Sequence, residues 1–186
     1  MGIDLKRDLI KKALSTQLDP TIVNNGKEKL SAVLIIIYGE IPTIIMTERP
    51  KTMNHHAGEI SFPGGTWKTN DNDLLSTAIR ETNEELGVEI DRESIIGQLK
   101  TVTTLNSGFK IMPFVTIMDG VPEIQPNSEI ESVLKIPLIP LLHTIADDTD
   151  PNHKSIQEMF VFTFQNHVIW GASARMLKQI HDRLLK

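Results

Sequence analysis

Residues 74–86 constrain the fold most, because their pattern predicts a helix with a defined start and a defined end. Asp73 is of the residue type that caps helix N-termini, and Gly87 is of the type that ends helices. With successive residues about 100° apart, one side of this helix is apolar and consists of Leu75, Ile79, Thr82 and Leu86. The other side carries three carboxylates within about a third of the circumference, those of Glu81, Glu84 and Glu85. We therefore expect the apolar side to pack on a core and the acidic side to face away from it.

The acidic side of this helix has the chemistry of a metal site. Three like charges this close together repel one another, and a divalent cation would remove that repulsion. Ligand sets made only of oxygen suit a hard ion such as Mg²⁺ or Mn²⁺. Arg80 precedes Glu84 by one helical turn, so it can pair with that carboxylate and orient it. An isolated cluster of this kind is more often a solvated helix face, since glutamate is a good helix former.

The other apolar runs predict a chain of mixed α and β structure. We expect helices at residues 4–15 and 172–185, and strands at 30–38, 43–47, 94–104, 111–118, 133–136 and 158–164. Residues 138–143 are ambiguous and fit a short helix, and the proline- and glycine-containing segment 48–68 is mostly loop. Because the strands are adjacent along the chain, an α+β fold in the form of an α/β/α sandwich is favoured over a repeating βαβ layout.

Length and composition exclude several classes of protein. The chain of 186 residues predicts a single domain, 1–186, with residues 1–28 as an N-terminal helical arm. It has no cysteine, which excludes a disulfide framework and a thiol nucleophile. Its net charge of −5 gives no sign of a nucleic-acid-binding surface. No apolar run is long enough to span a membrane and no secretory signal is visible, so the expected location is the cytoplasm.

The helix is preceded by a glycine pair, and the two together resemble a known family. The Nudix box, a loop–helix–loop that binds metal and diphosphate, is similar to the sequence from Gly65 to Val88. Its pattern is glycine, five residues, glutamate, seven residues and then REUXEEXGU, where U is a bulky aliphatic residue. Here Asp71 occupies the position of the first glutamate of the box, and eight residues rather than seven separate it from Arg80. Thr82 replaces the first bulky aliphatic residue. The resemblance implies the Nudix fold, with a mixed β-sheet between helices, and hydrolysis of a diphosphate bond.

The sequence before the box resembles the coenzyme A diphosphatase group of that family. Their signature is similar to LLTxR[SA]xxxRxxxGxxxFPGG, and here the stretch 45–65 keeps the threonine, the first arginine, the glycine and the FPGG at the right spacing. Aspartate at the first acidic position of the box is also a habit of this group. Pro50 replaces the small residue of the signature, and Asn54 replaces its second arginine. Since arginine is the natural bidentate partner of phosphate, this loss bears on coenzyme A recognition.

Three later segments extend the resemblance over residues 30–185. Residues 107–115 look like the group's SG(Y/F)xVxPxV strand, residues 128–138 are similar to its NEVAEVFxVPL segment, and residues 169–177 resemble its (V/I)WGxTAxxL helix start. The implied substrate is coenzyme A or an acyl derivative, giving 4′-phosphopantetheine and adenosine 3′,5′-bisphosphate. Family precedent allows a monomer or a homodimer.

The resemblance also suggests roles for individual residues. Mg²⁺ or Mn²⁺ would be held by Glu81, Glu84 and Glu85, while Glu84 or Glu129 would accept a proton from the attacking water, with Arg80 orienting a carboxylate. Contacts to the substrate's phosphates are expected from Arg49, Lys51, Gly64 and Gly65. For Glu129 the alternative is an ordinary loop glutamate, and for Arg49 and Lys51 it is plain surface charge. We expect Glu59 to have no catalytic part, His55 and His56 to be polar surface, and Trp170 to pack in the core.

Two other functions remain open. A Nudix enzyme for ADP-ribose, a dinucleotide or a nucleoside triphosphate is favoured by the loss of the second arginine at Asn54. A Nudix-fold binding module without catalysis is the second alternative, and the presence of all three glutamates of the box argues against it.

Overall fold

The computed structural model describes residues 3–21, 28–52, 58–105, 107–120, 123–150 and 159–186, with the backbone alone at 3–6. The helices are α1 (Ile3–Leu14), α2 (Leu74–Leu86), α3 (Leu138–Leu142) and α4 (Gly171–Leu184). The strands are β1 (Lys29–Tyr38), β2 (Thr43–Glu48), β3 (Ile60–Ser61), β4 (Gly64–Thr66), β5 (Ile95–Gln98), β6 (Val102–Thr103), β7 (Phe109–Met118), β8 (Ser132–Pro137), β9 (Ala146–Asp147), β10 (Phe160–Phe164) and β11 (His167–Ile169). No helix in these ranges has both the length and the apolar character needed to cross a membrane.

The main sheet is mixed, as the sequence predicts. Among the described residues its strands follow the order β3-β2-β1-β7-β5, with β4 also paired to β1, β6 to β7 and β8 to β2. The central pair, β1 and β7, is parallel along its whole length, and the other pairs are antiparallel. A smaller antiparallel sheet has the order β11-β10-β9.

Strand β1 separates two hydrophobic cores, because its alternate residues point to opposite faces of the sheet. Leu34 and Ile36 pack with Leu75 and Leu86 of α2. Ile35 and its neighbours on the other face pack with buried residues of α1, α3 and α4. The α+β sandwich with helices on both sides of a mixed sheet is therefore confirmed.

The helix of the predicted N-terminal arm is part of the second core. Ile10 and Leu14 of α1 are buried in it. The chain after α1 is held to β5, since Thr16 Oγ1 donates to the Gln98 carbonyl (3.0 Å) and accepts from the Gln98 amide (2.8 Å). This helix thus packs against the domain rather than extending from it.

One prediction about strands was wrong. Residues 94–104 do not form one strand: a 3₁₀ turn at Arg92–Ser94 precedes β5, and β6 is separate. The gap arises because the Gln179 side chain of α4 bonds both backbone groups of Lys100, at 2.8 and 3.0 Å, in the place of a neighbouring strand. The described part of the segment 48–68 is mostly loop, as predicted, and also contains the short strands β3 and β4. The glycines of β4 pair directly with β1.

Candidate active site

Helix α2 positions the site, and its bounds match the prediction from the sequence. The Asp73 side chain accepts a hydrogen bond from the Ser76 amide (2.8 Å), which satisfies one of the free N–H groups at the helix start. At the other end Gly87 adopts the left-handed conformation (φ 67°), and its N–H bonds the Asn83 carbonyl (2.8 Å). The side chains of Arg80, Glu81, Glu84 and Glu85 are therefore held on a helix with defined ends.

Arg80 connects the acidic residues of the site. Its Nη1 donates to Glu81 Oε1 (2.5 Å) and to Glu84 Oε2 (3.1 Å), so the pairing expected at one helical turn is present. Its Nε and Nη2 donate to the two carboxylate oxygens of Asp71. The hydrogen bond to Asp71 is the main cause that raises the pKa of Arg80, so the guanidinium stays charged. Arg80 thus holds two glutamates with one edge and the preceding loop with the other.

The helix pattern predicted that Glu85 would lie on an open acidic face. In the structure it is buried. Only 4% of it is exposed, because β4 lies across this side of α2. The Gly64 amide donates to Glu85 Oε2 (3.0 Å), and Arg49 Nη2 lies 3.8 Å from Oε1. Burial, together with the negative charges of Glu81 and Glu129, raises the pKa of Glu85 to about 7, and the amide and Arg49 only partly offset this.

The two glycines of β4 lie against strand β1 and against the carboxylates of α2. A Cβ at Gly64 would lie 2.3 Å from the Ala32 carbonyl oxygen of β1, and φ there is 148°. A Cβ at Gly65 would lie 2.5 Å from Glu81 Oε2. The Gly65 carbonyl accepts a hydrogen bond from Ser31 Oγ (2.6 Å). The two glycines therefore allow β4 to pass between β1 and the two glutamates. From the sequence alone, the glycines were expected to allow a ligand to approach.

Protein cations lie beside the two outer glutamates. Lys68 Nζ is 3.6 Å from Glu81 Oε1 and 3.5 Å from Glu84 Oε2, on the same carboxylates that Arg80 contacts. Accordingly, within the part of the chain that the structure describes, no three acidic or histidine side chains are arranged as a group that could hold a metal ion. The donor chemistry still fits a hard divalent cation, because the three glutamates offer only oxygen and Glu85 is a buried carboxyl near two further negative charges. Glu81 and Glu84 would have to leave Lys68 to bind such an ion.

Asn127, which sequence reasoning missed, holds the loop of Glu129 against the helix. Its Nδ2 donates to the Glu84 carbonyl (2.9 Å), and its backbone amide donates to the Glu85 carbonyl (2.9 Å). Its Oδ1 in turn accepts from the Glu129 amide (2.8 Å). Glu129 is exposed, and its charge is near enough to raise the pKa of Glu85. An asparagine two residues before a candidate carboxylate was the available signal, because asparagine bonds local backbone readily.

A cavity of about 310 Å³ opens beside these carboxylates. The main segments of its wall lie far apart in the sequence: Arg49, residues 59–62, residues 64–66, Ser107 and Phe109, and residues 170–173. Arg49, Gly64 and Gly65 therefore lie where a substrate could reach them, and Glu59 lines the same wall. Lys51 is exposed in a turn and does not line the cavity.

Trp170 was predicted to be a core residue, and this was wrong. It is half-buried and lines the cavity, because the chain turns there from β11 into α4 at the cavity edge. The candidate residues Asn54, His55 and His56 lie outside the described residues.

Comparison with known proteins identifies the family. The model of the NUDIX domain matches residues 28–164. A protein of Photorhabdus laumondii described as an uncharacterized Nudix hydrolase NudL is 27% identical over 170 residues, which is 89% of this chain and 89% of that protein. A protein of Yersinia pestis (strain Pestoides F) with the same description is 29% identical over 164 residues, covering 86% and 82% of the two chains.

Solved structures show the same fold at low identity. A MutT/nudix family protein from Enterococcus faecalis superimposes with a TM-score of 0.58 and 13% identity, over 96% of this chain and 73% of that chain. The NUDIX domain of Shewanella oneidensis NrtR, determined with ADP ribose, gives a TM-score of 0.59 and 17% identity, over 90% and 94%.

Proposed function

The chain belongs to the Nudix family and is a Nudix hydrolase, and from this we propose that it hydrolyses the diphosphate bond of coenzyme A or an acyl derivative. The observation that carries the proposal is that two residues of the cavity wall also contact the carboxylates of α2. Gly64 and Gly65 contact Glu85 and Glu81 and also line the cavity, so a substrate in the cavity would have its diphosphate beside the carboxylates. The products would be 4′-phosphopantetheine and adenosine 3′,5′-bisphosphate.

Glu81, Glu84 and Glu85 are the residues proposed to hold a divalent cation, with Mg²⁺ or Mn²⁺ as the candidates. Enzymes of this family generally use divalent metal ions. When bound, such an ion would neutralise charge on the phosphate oxygens and make a water more acidic. For such an ion to bind, Lys68 would have to move away from Glu81 and Glu84.

The protein's own side chains would orient the metal ligands, accept the proton of the attacking water and contact the phosphate. Arg80 stays paired with Asp71 and keeps Glu81 and Glu84 oriented. Glu84, whose side chain is 47% exposed, is our first candidate to take the proton of the attacking water, and Glu129 is the second. The Arg49 guanidinium, beside Glu85 and in the cavity wall, is the proposed contact for a phosphate oxygen.

The support for coenzyme A comes from the segments that line the cavity. Three segments that resemble the coenzyme A group contribute to its wall: Phe62, Gly64 and Gly65 of the FPGG, Ser107 and Phe109 of the SGF strand, and residues 170–173 of the WGAS helix start. These segments lie far apart in the chain, and a ligand that contacts all of them would account for their resemblance to the coenzyme A group.

ADP-ribose is the alternative substrate. It is favoured by the replacement of the signature's second arginine with Asn54, which removes one phosphate contact expected for coenzyme A. The NrtR domain that shares this fold binds ADP ribose. Because that likeness is one of fold, it supports ADP-ribose only as a candidate to be assayed.

A substrate panel tests the proposal. Coenzyme A, acetyl-coenzyme A, ADP-ribose, a dinucleotide and a nucleoside triphosphate are incubated with enzyme and Mg²⁺ or Mn²⁺, and the products are identified by mass. We expect kcat/KM to be highest for the coenzyme A compounds. A tenfold preference for ADP-ribose would support the alternative, and no hydrolysis of any compound would contradict both.

A further inference from the structure

The last turn of α2 receives hydrogen-bond donors from the loop before β8. The final carbonyls of a helix have no partner within the helix and need one from elsewhere. The Gln125 amide donates to the Leu86 carbonyl (2.8 Å). The Asn127 amide donates to the Glu85 carbonyl (2.9 Å), and Asn127 Nδ2 donates to the Glu84 carbonyl (2.9 Å). The loop is therefore attached to three consecutive residues of the helix, two of which are proposed metal ligands.

The Asn127 side chain forms hydrogen bonds in two directions. Its Nδ2 bonds the helix, while its Oδ1 accepts from the Glu129 amide (2.8 Å). An amide group offers this donor and this acceptor in one rigid plane. The chain after Glu129 is also fixed, because Ile130 is buried in the core on which α2 packs and the Glu131 amide donates to the Glu48 carbonyl (2.9 Å). The backbone of Glu129 is thus held on both sides.

The Glu129 side chain is held where its charge is unfavourable. It is exposed, and it lies near enough to Glu85 for the two charges to interact, as the charge of Glu81 also does. Like charges repel one another, and repulsion alone would move an exposed carboxylate away from α2. The hydrogen bonds of Asn127 oppose this. An arrangement that costs electrostatic energy and is held by specific bonds is expected at a functional site.

We infer that Asn127 is a positioning residue for hydrolysis, which keeps the Glu129 carboxylate beside the carboxylates of α2 and affects turnover only through Glu129. The inference rests on the proposed function, in which Glu129 is a candidate to accept the proton of the attacking water. It gives Glu129 a part in turnover, in contrast to an ordinary loop glutamate. Asn127 itself does not line the cavity, so it has no direct contact with a substrate bound there.

A double-mutant cycle tests this route. Values of kcat and KM are measured for wild type, Asn127→Ala, Glu129→Gln and the double variant on the best substrate of the panel. Asn127→Ala should lower kcat by about ten- to a hundredfold, the scale of a displaced reacting group, and leave KM nearly unchanged. Glu129→Gln should lower kcat at least as much, and adding Asn127→Ala to it should lower kcat no further.

Two results of the cycle would overturn the inference. A fall in kcat by the same factor in both backgrounds would show that Asn127 acts independently of Glu129. Wild-type kcat in either single variant would also overturn it, and would leave the proposed function standing with Glu84 as the proton acceptor. Should Asn127→Ala fail to fold, Asn127→Asp takes its place, since it is nearly isosteric, retains an acceptor for the Glu129 amide and loses the donor to the Glu84 carbonyl.

The matched control is Gln125→Ala, in the same loop. The backbone bond from residue 125 to the Leu86 carbonyl is retained, and the side chain that is removed donates to the exposed Glu123 (3.0 Å). This variant should keep the wild-type kcat and KM. A loss of turnover equal to that of Asn127→Ala would show that any change in the loop has the same effect, and would overturn the inference.

Amide hydrogen exchange, followed by NMR on the metal-free protein, tests the position of Glu129 without turnover. The Glu129 amide should lose protection in Asn127→Ala and keep it in Gln125→Ala, because its partner is Asn127 Oδ1. This result supports the placement of Glu129 by Asn127 even if no compound of the panel is hydrolysed, an outcome that contradicts the proposed function. Unchanged exchange of the Glu129 amide in Asn127→Ala contradicts the inference for any substrate.

Discussion

Arg80 and Asp71 form a two-bond ion pair, Nε to Oδ1 at 2.8 Å and Nη2 to Oδ2 at 2.9 Å, that joins the loop after β4 to helix α2. Asp71 also accepts from the Lys68 amide (3.0 Å) and from Thr77 Oγ1 (2.9 Å). The hydrogen bond from Arg80 is the largest cause that lowers the pKa of Asp71 to about 2. The aspartate at the first acidic position of the box is thus an anchor for the arginine that orients Glu81 and Glu84.

Asp71→Asn should therefore destabilise the fold at neutral pH by about 2 kcal/mol, the equivalent of this pKa shift. Because the folded pKa lies below the unfolded one, the stabilisation is present above about pH 4 and is lost as the pH falls toward 2. Urea unfolding between pH 7 and pH 2 measures both effects. A difference between wild type and variant that stays constant over this range would contradict the ionic role of the pair.

The glycine pair should separate into one structural and one functional position. Gly64→Ala places a Cβ against the backbone of β1 and should lower the melting temperature strongly or prevent folding. Gly65→Ala places it against the flexible Glu81 carboxylate, so the protein should fold while turnover falls by about tenfold or more, because the carboxylate is displaced. Thermal unfolding and turnover are measured for both, and a fully active Gly65→Ala would contradict the assigned place of Glu81.

The two fully buried threonines of α2 should respond in opposite directions to replacement by valine. Thr82 Oγ1 has no hydrogen-bond partner among the described residues, so Thr82→Val should stabilise the protein by about 1 kcal/mol. Thr77 Oγ1 donates to Asp71 Oδ2, so Thr77→Val should destabilise it by about 1–3 kcal/mol. Denaturant unfolding of both variants checks the pair. The same sign for both would show that the hydroxyl pairing is not the cause.

Glu85 should make the metal-free protein less stable as the pH rises. Its pKa of about 7 in the folded protein lies above the ordinary value of 4.5 for an unburied carboxyl. Between these pH values the folded state binds one proton more than the unfolded state, so the stability falls as the pH rises toward 7. Glu85→Gln removes this loss, worth up to about 3 kcal/mol. In the presence of a chelator, the melting temperature of Glu85→Gln should rise increasingly above that of wild type as the pH is raised from 5 to 8. Glu84→Gln, which changes a half-exposed carboxylate of the same helix, is the control variant.

Activity should depend on a divalent ion and on Glu84. Chelator should abolish hydrolysis, and Mg²⁺ or Mn²⁺ should restore it. Glu84→Gln should lower turnover by about two orders of magnitude or more, the scale of a lost general base, while the fold survives because the side chain is half exposed. Steady-state rates and circular dichroism are compared with wild type. A folded Glu84→Gln with near-normal turnover would remove this helix from the mechanism.

Local pattern alone determined helix α2 and what it carries. Its cap at Asp73, its end at Gly87 and the pairing of Arg80 with Glu84 involve residues within one or two turns of one another, so their spacing in the chain is their spacing in space. The resemblance to the Nudix box rests on the same short stretch, and the family match over residues 28–164 agrees with it. Sequence reasoning was reliable wherever the interacting groups were neighbours on one helix.

Tertiary structure alone decided which surface of that helix is open. Glu85 lies on the acidic side by its spacing, yet it is buried because β4, which pairs with the distant strand β1, crosses it and donates the Gly64 amide. The convergence of Arg49, Phe109 and Ser173 on one cavity likewise depends on the parallel pairing of β1 with β7 and on the packing of α4. Helical periodicity describes a residue's direction from its own axis, whereas burial depends on segments that arrive from elsewhere in the chain.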